Sequence, residues 1–283
     1  MQFEFGFLLG PPDGRYLTRE RQDAEPERVV VLGTLGAPER RRMRSKRPKS
    51  IDSAEQPEPV ATQRATLIRA PALGSGSEAE RWLESLRGDE DGRVAEVAAA
   101  TSALNAVVRA WRAAATDPYA RDVAADHALV ARVGYGDGEL VANGRFDAAY
   151  ELPRRERRRQ RRAELLEPQE RFARLLGARE QLLACEELVL RARSDLAAGR
   201  AREAALQTRI ALEAVLAEVA LERAGPVIGE LEGDREGVAA AANAALDGAP
   251  GPDMQRAVEK AVDHMEHALR RHRDPRRAAE EPS

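Results

Sequence analysis

The sequence predicts an α+β fold: a small, mostly antiparallel N-terminal sheet with covering helices, followed by an all-α C-terminal helical bundle. Three observations lead to this prediction. Apolar residues alternate with a period of two near the N-terminus, whereas further along the chain they recur at steps of three and four. Aromatic residues make up only 4% of the chain, which suits helices packed through Ala and Leu better than a β-sandwich or barrel. The 283 residues are enough to bury one large core or two ordinary ones.

Four strands are predicted at the N-terminal end. Phe3, Phe5 and Phe7 alternate with other residues, and the turn sequence Pro-Pro-Asp-Gly follows them. This combination indicates a hairpin. A third and a fourth strand are expected at about residues 28–35 and 62–70, where β-branched and other apolar residues are frequent.

Three helices are predicted to cover one face of this sheet. Ser77 followed by Glu80 has the spacing of a capping box, which predicts the start of a short helix. The next helix has one apolar face, formed by Val94, Val97, Thr101, Leu104, Val108, Trp111 and Ala115. Asp117 as an N-cap and Pro118 at the first helical position predict a further helix that extends to about Leu129.

A second hairpin is predicted where Asn143 precedes Gly144, a dipeptide typical of two-residue turns. Apolar and polar residues alternate from Phe146 to Leu152, which favours a strand there. A helix over residues 145–152 is the alternative.

The C-terminal part is predicted to consist of four or five helices between residues 168 and 273. Pro168 and Pro252 mark helix starts, and Gly199 and Gly225 mark helix ends. The last helix carries one apolar stripe, formed by Met254, Val258, Ala261, Val262, Met265 and Leu269.

These patterns divide the chain into four segments. An α+β domain is expected at residues 1–152 and contains an exposed basic loop at 37–60, which is rich in Pro, Ser and charge. An Arg-rich connector at 153–167 leads to a helical domain at 168–273. The tail at 274–283 is expected to be disordered.

The segment from Leu196 to Glu213 resembles the helix-turn-helix of a tetratricopeptide repeat. In that family a helix ends at a small residue, and alanines on the next helix allow close packing; Gly199, Ala204 and Ala211 stand at the matching offsets. Gly233 follows Gly199 by 34 residues, the repeat length of that family. The resemblance implies partner binding through a helical groove. A plain helical bundle is the alternative.

Several classes of function lack the residues that they need. Cys185 is the single cysteine, which excludes an internal disulfide and a metal site built from several cysteines. His264 and His267 lie three residues apart, but nothing else indicates the further ligands of a zinc site; a solvated helix face is the expected setting. We see no signal peptide and no apolar span of membrane length. A cytoplasmic location is therefore expected, with no membrane association, metal or cofactor.

Arg121 and His127 have the Arg-to-His spacing of the ribonuclease motif in HEPN domains, which are small helical bundles. The resemblance implies that Arg121 and His127 would meet across a dimer, with the histidine as acid or base. Arginine is so frequent in this chain that one such pair is expected by chance, and the predicted sheet departs from the all-helical fold of that family.

Two short segments concentrate basic charge: residues 39–49 and 154–162 each carry a net +6, so the remaining chain carries -15. The candidate phosphate contacts are Arg40, Arg41, Arg42, Arg44, Lys46, Arg47, Arg154, Arg155, Arg157, Arg158, Arg159, Arg161 and Arg162. Contact with RNA or DNA through them would be independent of base sequence and would weaken with salt. Neither segment has an aromatic residue to stack a base, and a solvated loop and connector are the alternative.

The favoured hypothesis is a non-catalytic cytoplasmic adaptor or assembly protein, which binds a protein partner or itself through its C-terminal helical domain. A nucleic-acid-associated protein that contacts phosphates through the two Arg-rich segments is the second hypothesis. A HEPN-like ribonuclease is the third. Because no nucleophile motif or paired-carboxylate spacing stands out, binding is expected rather than catalysis.

Overall fold

The structure is a computed structural model, and it describes residues 1–19, 24–36, 62–153, 162–219 and 226–273. The chain divides into two compact units, Met1–Arg159 and Gln160–Ser283. The first is built on a sheet and the second consists of helices, and we call them the sheet domain and the helical domain.

The sheet domain contains six strands: β1 (Gln2–Phe5), β2 (Gly14–Thr18), β3 (Arg28–Leu35), β4 (Thr62–Arg69), β5 (Val130–Tyr135) and β6 (Ala148–Glu151). Their order in the sheet is β2-β3-β4-β1-β5-β6, and each neighbouring pair is antiparallel. The predicted α+β fold with an antiparallel N-terminal sheet is therefore confirmed.

The N-terminal strand does not form the expected hairpin. β1 lies in the centre of the sheet between β4 and β5, whereas β2 pairs with β3 at the edge. Phe3 and Phe5 are both buried, and the buried side chain of Gln2 donates to Thr66 Oγ1 at 3.2 Å. A strand that buries side chains on both faces is favoured in the centre of a sheet, because an edge position would expose its backbone and its apolar residues to water.

Two helices pack on one face of the sheet: α1 (Gly76–Gly88) and α2 (Glu90–Ala115). Phe3 and Leu67 from the sheet share one core with Leu104 of α2. The predicted apolar face of α2 is confirmed near its middle, where Leu104 and its neighbours are buried.

Helix α1 begins two residues earlier than predicted. Ser75 is the N-cap, and its Oγ accepts the Glu78 N–H at 3.2 Å, while the Glu78 carboxylate accepts the Gly74 N–H at 2.9 Å. The capping-box spacing occurs twice in this stretch, as Ser75 to Glu78 and as Ser77 to Glu80. Spacing alone does not distinguish the two.

The helix predicted from Asp117 to Leu129 does not form. Only a short 3₁₀ turn, Ala125–His127, occurs in this stretch. The side chain of Asn105 in α2 accepts the Val123 N–H at 2.8 Å and donates to the Val123 carbonyl at 2.9 Å. Because these bonds take backbone groups that a helix would need, they hold the segment in an extended form.

The connection between β5 and β6 is longer than the predicted two-residue turn and contains α3 (Gly138–Ala142). Gly144 follows it with a φ of 79°. A β-carbon at Gly144 would lie 2.6 Å from Arg64 Nη1 and 3.0 Å from Gln2 Nε2. The glycine therefore serves the close approach of this connection to the sheet. The strand favoured after it is present as β6.

The helical domain contains five described helices: α4 (Arg162–Leu176), α5 (Ala184–Ala197), α6 (Ala201–Glu218), α7 (Pro226–Asp247) and α8 (Pro252–Arg273). Helices α5 to α8 share one core, to which Val189, Leu212, Leu231 and Met265 contribute one residue from each helix. The predicted helical C-terminal region is therefore confirmed.

Three predicted helix boundaries in this domain have different outcomes. Gly199 follows the end of α5 with a φ of 68°, and Pro252 begins α8, both as predicted. Pro168 instead lies inside α4, which begins at Arg162. The residues on both sides of Pro168 are mostly Ala, Leu, Glu, Gln and Arg, whose high helix propensity favours continuation of the helix across the proline.

The tetratricopeptide resemblance holds for one hairpin only. α5 and α6 form the expected helical hairpin, but Gly233 lies inside α7 and no second unit begins there. α8 then packs on both α5 and α6. Because α8 packs back on α5 and α6, the helices form a bundle, which is the alternative that the sequence leaves open to a tetratricopeptide repeat.

A buried carboxylate joins three helices of this domain. Glu186 of α5 is only 2% exposed. It accepts two hydrogen bonds from Arg171 of α4, at 2.8 and 2.9 Å, and one from Arg273 of α8, at 2.7 Å. A carboxylate removed from water is tolerated only when such charged donors compensate it.

We expect Glu186→Gln to destabilise the helical domain by about 3 kcal/mol, because Arg273 loses the carboxylate that it pairs with and Arg171 loses one of its two. Both tryptophans, Trp82 and Trp111, lie in the sheet domain. In urea unfolding, the transition seen by far-ultraviolet circular dichroism should therefore shift, while the tryptophan fluorescence transition should not.

The matched control for this variant is Glu187→Gln. Glu187 pairs with Arg191 at 3.0 Å on the surface, so its removal should change stability by less than about 0.5 kcal/mol. Equal shifts for the two variants, or a shift confined to tryptophan fluorescence, would contradict a structural role of Glu186.

The thiol of Cys185 gives an independent probe of the same core. Cys185 is fully buried beside Glu218, and burial, with the nearby carboxylate, raises the pKa of the thiol to about 12. At about pH 8 the native protein should resist alkylation by iodoacetamide, although an ordinary thiol with a pKa of about 8.5 is partly ionised there. One equivalent should react after unfolding in guanidinium, as measured by mass spectrometry. Rapid stoichiometric labelling of the folded chain would refute this assignment.

Candidate functional site

The predicted phosphate contacts lie almost entirely outside the described residues. This holds for the basic residues of segment 39–49 and for those at 154–161. Arg162 begins α4, but its side chain is also outside the described part. The expected tail at 274–283 is not described either. The role of the two Arg-rich segments stays a prediction.

Two large apolar side chains of helix α4 are exposed to water. Phe172 is 61% exposed and Leu176 is 72% exposed, and the two lie one turn apart on the same face of the helix. We call this pair the α4 apolar face. No described side chain of α4 is buried. An amphipathic helix in a protein normally gains most of its stability by burying such a face.

Ion pairs attach α4 to the rest of the helical domain. Besides its bonds to Glu186, Arg171 donates to Glu180 at 2.7 Å, and Arg174 donates to the same carboxylate at 3.0 Å. Burial alone would raise the pKa of Glu180, but the hydrogen bonds from both arginines lower it below its ordinary value. These contacts fix the position of α4 and leave its apolar face in contact with water.

A second apolar pair lies on α6. Leu206 and Ile210 are one turn apart on its exposed side, opposite the residues that α6 contributes to the core. This pair is smaller than the α4 apolar face, and it lies on a helix that is otherwise well buried. The helical domain thus has a pair of exposed apolar side chains on each of two helices, α4 and α6.

The sheet domain contains a cleft of about 410 Å³. Its walls are the segment after β1 and the extended chain that follows α2, and its lining includes Phe7, Leu8, Tyr119, Arg121 and His127. The structure therefore places both residues of the HEPN resemblance in one cleft. The domain that carries them is built on a sheet, whereas that family is all-helical.

Contacts to the core hold the cleft walls in place. Arg109 of α2 forms an ion pair with Asp122 at 3.0 Å, and the two bonds of Asn105 fix Val123 beside it. On the other wall, the Leu9 N–H donates to Gln63 Oε1 at 2.7 Å. The cleft is therefore formed without a ligand.

The sequence patterns do not reveal the aromatic lining of this cleft. The period-two alternation assigns Phe7 to a strand, but β1 ends at Phe5 and Phe7 is partly exposed. Tyr119 belongs to the helix that the sequence predicts from Asp117 to Leu129, and this helix does not form. Only the fold, which places Phe7 and Tyr119 beside the cleft, distinguishes them from the other aromatic residues of the chain.

His264, one of the histidines on α8, pairs with a carboxylate of α7. His264 Nδ1 lies 2.6 Å from Asp234 Oδ2, and Lys260 Nζ lies 3.6 Å from the other oxygen of that carboxylate. His264 is therefore paired with a carboxylate, whereas the sequence predicts a solvated helix face. Among the described residues, no group of three or more His, Cys, Asp or Glu side chains is placed to hold a metal ion.

No protein family, curated protein or solved structure matches this chain. No described helix combines the length and the apolar character needed to cross a bilayer. Functional proposals for this protein rest on its own geometry and charge.

Proposed function

We propose that this protein is a non-catalytic cytoplasmic adaptor or assembly protein, which binds a protein partner or a second copy of itself through its helical domain. One observation carries the proposal: Phe172 and Leu176 form an exposed apolar face on a helix with no buried side chain among its described residues. Large apolar side chains one turn apart are the anchors by which a helix binds in an apolar groove.

The size of the α4 apolar face supports a specific complex. Burying one large apolar side chain contributes about 2 kcal/mol, so this pair contributes about 4 kcal/mol, or roughly a 1,000-fold change in Kd. The ion pairs of Arg171 hold α4 in position before a partner arrives. Such preorganisation lowers the entropy cost of binding.

We expect the double variant Phe172→Ser with Leu176→Ser to lose association, with an affinity at least 100-fold weaker. Self-association of the full chain is measured by sedimentation velocity over a range of concentrations. Partner binding is measured by quantitative affinity capture from a lysate of the source organism.

Leu246→Ser is the matched control, because Leu246 is similarly exposed but lies on α7. A complex that is lost in the double variant and retained by the control supports the proposal. A monomer that captures the same proteins before and after the double substitution would rule out the α4 apolar face as the binding surface.

Charge distribution supports a second proposal, in which the two Arg-rich segments contact RNA or DNA phosphates. Each segment carries +6 with a single glutamate, while the rest of the chain carries -15. Segments of this density attract the phosphate backbone in a salt-dependent manner, without reading base sequence.

We expect replacement of Arg154, Arg155, Arg157, Arg158 and Arg159 by Gln to weaken binding to generic RNA and duplex DNA and to flatten its salt dependence. Filter binding between about 50 and 200 mM salt measures both, and the slope of log K against log salt should fall by up to about four.

The control removes the same charge from exposed arginines elsewhere: Arg81, Arg179, Arg191, Arg256 and Arg270. Binding that weakens equally in both variants would show a general charge effect. Binding that survives the first variant unchanged would eliminate the proposed role of that segment.

A further inference from the structure

The cleft of the sheet domain has the size and rigidity of a small-molecule site. Its volume of about 410 Å³ lies within the usual range for ligand pockets, about 300 to 1,000 Å³. Its walls are fixed by the bonds of Asn105, Arg109 and Gln63. A ligand therefore meets a shaped surface that needs little reorganisation.

Exposed aromatic side chains are concentrated at this cleft. The chain has eleven aromatic residues, and three of them are exposed: Phe7, Tyr119 and Phe172. Two of these three line the cleft, and Tyr119 is 82% exposed. Exposed aromatic rings beside a preformed pocket suit a planar ring that stacks on them.

Two nitrogen donors of different kinds lie beside these rings. Arg121 is exposed, and it has no ion-pair partner within the part of the chain that the structure describes. His127 Nδ1 accepts the Ala124 N–H at 3.3 Å, so the proton of a neutral ring is carried by Nε2, which is then a donor. An arginine fork and an imidazole N–H together suit a phosphate group.

Carboxylates at the same cleft limit the charge of the ligand. Asp122 pairs with Arg109, which neutralises it, while Asp117 lines the cleft and accepts the Tyr119 N–H at 2.9 Å. The charge of Asp117 disfavours a polyphosphate, because like charges repel at close range. Its oxygens are acceptors that suit the hydroxyl groups of a ribose.

We propose that this cleft binds a nucleoside monophosphate unit, with the base stacked on Tyr119 and Phe7 and the phosphate held by Arg121 and His127. The unit is either a free mononucleotide or one residue of single-stranded RNA. The site is independent of the α4 apolar face and of the two Arg-rich segments, and no catalytic step is assigned to it.

Binding is tested on the full chain with adenosine monophosphate, adenosine, inorganic phosphate and a short oligoadenylate, by isothermal titration and by tryptophan fluorescence. Trp111 lies next to Gly10 in the cleft wall, which makes its fluorescence a local reporter. Adenosine monophosphate should bind at least tenfold more tightly than adenosine or phosphate alone. Tighter binding of the oligoadenylate identifies RNA as the source of the unit, and tighter binding of the monophosphate identifies a free nucleotide.

Four variants locate the binding. Tyr119→Ala and Arg121→Gln should each weaken the binding of adenosine monophosphate at least tenfold. Tyr119→Phe keeps the ring and should restore the binding that Tyr119→Ala loses. Arg81→Gln, which alters an exposed arginine on α1 outside the cleft, should bind as the unaltered chain does. All three positions are exposed, and an unchanged urea midpoint of tryptophan fluorescence confirms that each variant is folded.

Three results would overturn the proposal. The first is no binding of the monophosphate or the oligoadenylate at millimolar concentrations. The second is binding that Tyr119→Ala and Arg121→Gln leave unchanged. The third is loss of adenosine monophosphate binding in the chain with five Arg-to-Gln substitutions at residues 154–159, which would assign the phosphate to the Arg-rich segment instead of the cleft.

Discussion

A glutamate carboxylate taken out of water must be compensated by charged donors, and each domain of this protein does so with two arginines. In the sheet domain, Glu96 of α2 is buried between Arg28 of β3 and Arg69 of β4. In the helical domain, Glu186 joins α4, α5 and α8 in the same way. Each arrangement links elements that are far apart in sequence. One buried charge therefore contributes to the packing of α2 on the sheet, beside the shared apolar core, and another attaches α4 to the bundle.

Because many arginines pair with carboxylates of the fold, the high number of arginines does not by itself indicate an anionic ligand. The chain has 45 basic residues, and all but three are arginine. Arginines that pair with buried or surface carboxylates, such as Arg28 and Arg193, serve the fold and carry no information about a ligand. Only arginines without a carboxylate partner are candidates for binding a ligand. In the described residues Arg121 meets this condition, whereas the two Arg-rich segments are distinguished by composition alone, since each contains a single glutamate.

Local sequence patterns predict those helices and strands whose conformation does not depend on residues distant in sequence. β3, β4 and the apolar stripe of α8 follow from period and composition, and the structure contains them. The place of β1 in the sheet, and the extended segment held by Asn105, depend on residues more than a dozen positions away, and no local pattern contains that information. The same holds for the cleft. The spacing of Arg121 and His127 is visible in the sequence, but their meeting with Phe7 and Tyr119 results from the fold.

The exposure of the α4 apolar face follows from the ion pairs of Glu186. Successive residues of an α-helix are rotated by about 100°, so Phe172 lies about 100° and Leu176 about 140° around the helix from Arg171. Because Arg171 is turned toward Glu186 and Glu180, these two side chains are directed away from the contact. Rotation of α4 to bury them would remove Arg171 from a carboxylate that is out of water, and this cost is of the same order as the gain from the apolar contact. The ion pairs therefore hold α4 in an orientation that leaves Phe172 and Leu176 exposed to water.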